Sequence, residues 1–133
     1  MNGHNDALPL VYACSGCSNV GQLANRIALE LDRAGDAEMS CTTGVGGGVP
    51  TLVRKARAGR YIVAVDGCHL HCAAACLAQA GVKADKHVTL SDHGLRKRYG
   101  EDCDDRMLPL IVDAIREHLA TAPPSPQARP ADT

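Results

Sequence analysis

The sequence predicts a single small α/β domain of three layers, a mostly parallel four-stranded sheet with helices on both faces. Two observations lead there. Short apolar runs alternate with stretches of helical periodicity, the pattern of βαβ units, whose parallel strands need helical crossovers. The whole pattern fits within 133 residues, the length of one ordinary domain. A third observation concerns chemistry: seven cysteines stand against three tyrosines, with no Phe or Trp, and five of the seven fall at or just past predicted strand ends.

The elements follow in order. Leu10–Ala13 is an apolar run ending at Cys14 and reads as a buried strand. Ser18 or Asn19 can cap the next helix. Its apolar face is Val20, Leu23, Ala24, Ile27, Ala28 and Leu31, and Gly35 stops it. Residues 37–41 are a second, weaker strand. Residues 44–48 (Gly-Val-Gly-Gly-Gly) read as a flexible turn, and Pro50 opens a short helix closed by Gly59. Residues 61–65 (Tyr-Ile-Val-Ala-Val) are the clearest strand, apolar and mostly β-branched. An Ala-rich helix is predicted over 69–80, a fourth strand over 87–90, and an irregular charged stretch over 91–106. The last helix carries Leu108, Ile111, Val112, Ile115 and Leu119 at helical spacing, with Asp104 or Asp105 as its cap. The expected strand order is 2-1-3-4, as in a small flavodoxin-like sheet, where ligands bind at the carboxyl ends of the strands. The domain is expected over residues 9–120. Residues 121–133 hold four of the seven prolines and are expected to be a disordered tail.

Composition removes several function classes. Fourteen Lys and Arg against 15 Asp and Glu give a net charge of −1, without the basic excess of a nucleic-acid binder. No apolar run approaches the ~18 residues of a membrane span, and residues 1–6 lack the layout of a signal peptide. A cytoplasmic protein is therefore expected, with a metal ion as partner and neither nucleic acid nor membrane. In a reducing compartment, an odd number of cysteines reads as metal ligands or reactive thiols.

In a 2-1-3-4 sheet, the strands ending at Cys14, Cys41 and Cys68 are neighbours. Cys14-Ser15-Gly16-Cys17 has the C-x2-C spacing by which two thiolates reach one metal, and Cys68 and Cys72 lie one helical turn apart. Cys14, Cys17, Cys68 and Cys72 are the expected ligands of Zn²⁺, with Cys41 as an exchangeable ligand or a free thiol beside the metal. Asp66 is expected to orient a ligand or the Gly67 turn from behind. Two alternatives stand: an iron–sulfur cluster on the same thiolates, and a thiol/disulfide oxidoreductase using the Cys14/Cys17 pair at a helix start, where a thiol pKa is depressed. Cys76 reads as a core residue and Cys103 as incidental. His69 and His71 flank the site; His87, His93 and His118 read as non-ligands. Arg96-Lys97-Arg98 reads as a solvated face. No Gly-Lys-Ser/Thr follows the glycine-rich stretch, so it is not a phosphate-binding P-loop.

Three stretches together resemble the DGC-domain family of zinc-binding proteins. They are Ala13-Cys14-Ser15-Gly16-Cys17-Ser18-Asn19-Val20-Gly21-Gln22-Leu23-Ala24-Asn25, Met39-Ser40-Cys41 with Gly44-Val45-Gly46-Gly47, and Asp66-Gly67-Cys68 with Cys72. The family takes its name from that last tripeptide, and the resemblance covers residues 11–98. It implies zinc binding through Cys14, Cys17, Cys41, Cys68 and Cys72 and implies no particular reaction. Cys76 and Cys103 fall outside its motif positions. His69, His71 and His93 stand where other residues are usual, so the resemblance gives them no ligand role.

Overall fold

Four parallel strands lie side by side in the order β2-β1-β3-β4 in the computed structural model, which describes residues 8–122. β1 is Leu10–Ala13, β2 Glu38–Met39, β3 Ile62–Asp66 and β4 Lys86–Thr89. The helices are α1 (Asn19–Arg33), α2 (Thr42–Gly46), α3 (Pro50–Ala56), α4 (Cys72–Gln79) and α5 (Leu108–Thr121). Single 3-10 turns occupy Leu90–His93 and Asp105–Met107. The parallel registers run Leu10↔Ile62 to Ala13↔Val65 and Val63↔Lys86 to Asp66↔Thr89, so the strands end nearly level. This is the expected fold and strand order. No helix among the described residues is long and apolar enough to cross a membrane.

Strand alternation divides the core. Val11, Ala13, Val63 and Val65 face α1 and α5, while Leu10, Tyr12, Ile62 and Ala64 face the side of α2, α3 and α4. Both faces are covered, which is why β3 is buried at all five positions and carries no polar alternation. α1 begins as predicted: the Ser18 hydroxyl accepts the Gly21 N–H at 3.1 Å. It ends at Ala34, with Gly35 at φ +82°, the left-handed conformation that glycine adopts without strain.

Three elements depart from expectation. β2 keeps only two residues, although Ser40 N–H still bonds Val11 O at 3.1 Å. Residues 44–46 belong to α2 and not to a flexible turn, while Gly47 and Gly48 turn the chain after it, Gly48 at φ +78°. The glycines of α2 serve close packing: a Cβ on Gly44 would stand 2.1 Å from Leu52 Cδ1, and one on Gly46 2.5 Å from Cys76 Sγ. α4 starts at Cys72, not at residue 69, because His71 adopts φ 55°, ψ 48° and cannot continue a right-handed helix. At the other end of the chain, α5 extends to Thr121, the first residue of the predicted tail; residues 123–133 lie outside the described residues.

Gly67 joins the two halves of the sheet's carboxyl edge. A Cβ there would come within 2.6 Å of Val20 C and 2.7 Å of Val20 O, backbone atoms of the first turn of α1. Neither helix nor strand can give way locally. Gly67→Ala should lower the melting temperature by roughly 10 °C, the effect of about 2–3 kcal/mol of overpacking in a domain this size. Gly16→Ala, where nothing lies within 4 Å of the added methyl, should leave it nearly unchanged. Thermal melts by circular dichroism compare the two.

Candidate thiol centre

Each parallel strand delivers its carboxyl end to the same edge. Cys14 follows β1, its N–H bonded to Val65 O at 3.1 Å and its Sγ accepting the Gly67 N–H at 3.2 Å. Cys41 follows β2 as the N-cap of α2, its Sγ accepting the Gly44 N–H at 3.3 Å. Cys68 follows the end of β3 by two residues, and Cys72 opens α4. Cys17 lies in the β1–α1 loop, which Gln22 pins by donating to Gly16 O at 2.7 Å. All seven cysteines are free thiols; Cys17, Cys41 and Cys72 are exposed, and Cys14 and Cys68 are half-buried.

These thiols do not share one environment. Burial pushes the Cys14 thiol above its ordinary pKa; the nearby Asp66 and Cys72 charges add to the rise, and the N–H groups of Gly67 and Gly16 oppose it. That is the reverse of the depressed pKa the oxidoreductase alternative needs if Cys14 is the attacking thiol. Burial likewise raises Cys76, which lies against Gly46 on the α2–α4 contact, in keeping with a packing role. Cys68 has a cation beside it: Lys97 Nζ stands 3.4 Å from its Sγ and 4.8 Å from the Tyr99 ring centre. Cys103 lies apart, between Arg26 and Asp105.

Asp66 is 1% exposed and fully engaged. Its carboxylate accepts the N–H of Ala73 at 2.7 Å and of Ala74 at 3.2 Å, and pairs with His87 Nε2 at 2.8 Å. It therefore caps α4 from the end of β3 and fixes where Cys72 begins the helix. The histidines form a row beside it. His71 and His87 meet edge-to-face with ring centres 4.7 Å apart, His71 Nε2 reaches Thr89 Oγ1 at 3.2 Å, and His69 Nε2 reaches Asp92 at 2.6 Å. His118 is far off, on the Tyr61 hydroxyl at 2.7 Å.

Three features had no signal in the sequence. Lys97 lies 29 residues from Cys68 in a run that reads as solvated surface. His87 meets Asp66 across neighbouring strands. Beside Cys41, the buried hydroxyls of Tyr12, Ser40 and Thr42 make no well-formed hydrogen bond. Among the described residues, no three His, Cys, Asp or Glu side chains stand grouped to hold a metal ion as they are. By donor chemistry the set suits zinc, which takes thiolate sulfur readily, and the exposed Cys17, Cys41 and Cys72 can turn without disturbing core packing.

Two measurements follow from these environments. In reduced, metal-free protein, iodoacetamide should modify Cys17, Cys41 and Cys72 several-fold faster than Cys14 and Cys76, as read by peptide mass spectrometry. Asp66→Ala removes the α4 cap and leaves one buried and one part-buried N–H group unpaired; a loss of about 2 kcal/mol, or roughly 8 °C in the melting temperature, is expected.

Comparison with known proteins agrees with the motifs. The chain is 68% identical over 100 residues to the anaerobic and virulence modulator AnvM of Pseudomonas aeruginosa, an alignment covering 75% of this chain and 76% of that protein. No solved structure matches the chain significantly. The family model described as the DGC domain matches residues 10–115, a span that holds the whole sheet and all seven cysteines. The chain belongs to the DGC domain family.

Proposed function

We propose that this chain is a zinc-thiolate protein whose metal is held at the carboxyl edge of the sheet by Cys14, Cys17, Cys68 and Cys72, with Cys41 at its margin. The observation that carries the reading is the convergence of three adjacent strand ends, each followed within two residues by a cysteine. Scattered core cysteines have no reason to gather at one edge. Four thiolates are the donor complement of a closed tetrahedral zinc site, and zinc bound there would supply cross-linking of the strand ends without redox chemistry of its own. Asp66 contributes from behind by holding α4, and with it Cys72, in position.

A reducing, cytoplasmic setting suits seven free thiols. The name of the Pseudomonas relative speaks of modulating anaerobic life and virulence. We extend to this chain a regulatory role of that kind, with the thiol centre as the part that responds. The iron–sulfur reading uses the same sulfurs and is separated by its colour and iron content. The thiol/disulfide reading uses the Cys14 and Cys17 pair and is separated by the absence of stoichiometric metal.

Metal analysis of untagged protein, prepared without oxygen, tests the proposal. One zinc per chain in a colourless preparation is expected. Cys14→Ser and Cys68→Ser should each abolish stoichiometric binding, whereas Cys103→Ser should retain it. A brown, iron-containing preparation, or full zinc retention by Cys68→Ser, would overturn the assignment.

A further inference from the structure

We propose that Lys97 is the positioning cation of the thiol centre, neutralising charge at Cys68 when the metal is bound; this rests on the zinc-thiolate reading. Three observations point to it. Lys97 Nζ lies 3.4 Å from Cys68 Sγ, within reach of an N–H···S hydrogen bond. The backbone on both sides of Lys97 is gripped by one residue: Asn19 Nδ2 donates to Arg96 O at 3.0 Å, Asn19 N–H donates to Arg98 O at 3.0 Å, and Arg98 N–H donates to Asn19 Oδ1 at 2.7 Å. Next to that grip, Ser18 and Tyr99 form an antiparallel bridge, and the Tyr99 ring lies 4.8 Å from the ammonium.

Asn19 is the first residue of α1 and immediately follows the loop carrying Cys14 and Cys17. The same helix start therefore anchors the C-x2-C loop and the segment that brings Lys97 to Cys68. A solvated lysine would have no need of such anchoring. The charge balance explains the direction of the effect. Four thiolates around one divalent cation leave two negative charges uncompensated at a half-buried edge. Asp66 adds a third, buried, nearby. An ammonium in contact with one of the sulfurs offsets part of that charge, which favours the assembled site over the empty one. Arg96 and Arg98 flank it, but the Arg98 guanidinium pairs with Glu101 at 3.8 Å, and the hydrogen bonds of both residues to Asn19 are made by their backbone atoms.

The test compares zinc affinity by competition with a chromophoric chelator, for wild type, Lys97→Met, Lys97→Gln and Lys97→Arg. Removing an outer partner of a metal ligand costs about 10–100-fold in affinity, so that loss is expected for the two neutral variants, with Lys97→Arg within about threefold of wild type because it keeps the charge. Metal-free melting temperatures should be unchanged across the set, since Lys97 anchors no core packing. Equal affinity in the neutral variants would overturn the proposal. So would an equal loss in Lys97→Arg, which would mean that shape and not charge matters. Wild type that binds no zinc would instead overturn the zinc reading, and the role of Lys97 with it.

Discussion

The contact between the β3–α4 turn and the first turn of α1 is the constraint on which the rest of the site depends. It brings backbone against backbone, with Gly67 in place of any side chain. Because Gly67 sits there, its N–H points at Cys14 Sγ and its carbonyl accepts the Ser91 N–H at 3.1 Å, so one residue ties the ends of β1, β3 and β4 together. Its neighbours inherit their places from it. Asp66 is left facing the start of α4, and Cys68 emerges beside the C-x2-C loop.

Charge is then distributed unevenly over the edge. The inner side holds a buried carboxylate, Asp66, and two half-buried thiols, Cys14 and Cys76, whose pKa values burial and that carboxylate push upward. The outer side holds exposed thiols and a lysine whose ammonium form is favoured by Tyr99 and Cys68. Solvation and neighbouring charge thus change over a few residues of the edge. His71, among the described residues the one non-glycine in a left-handed conformation, stands at the junction, its ring set between those of His69 and His87. Strain of this kind persists only where surrounding contacts hold it.

Small residues make so tight an edge feasible. With no Phe or Trp, the core is layered from Val, Leu, Ile and Ala with Tyr12 as its one buried aromatic among the described residues, and helices approach the sheet closely. Gly44 and Gly46 let α2 lie directly on Leu52 and Cys76. Composition usually read as flexibility here marks close approach, because glycine serves both ends by the same lack of a Cβ.

By itself the sequence determined the alternation of strands and helices, the order 2-1-3-4 and the gathering of Cys14, Cys41 and Cys68 at one edge. Those features follow from local periodicity and from the handedness of parallel crossovers, which leave few topologies. The start of α4 departs from the sequence pattern because its cap is Asp66, a strand residue, and not a side chain adjacent in sequence. Gly44 and Gly46 depart from the expected turn because the atoms they pack against, on Leu52 and Cys76, belong to other helices. Lys97 on Cys68 and His87 on Asp66 were decided only by tertiary structure. Contacts between groups 21–29 residues apart depend on where loops and neighbouring strands come to rest, and no local pattern encodes that distance.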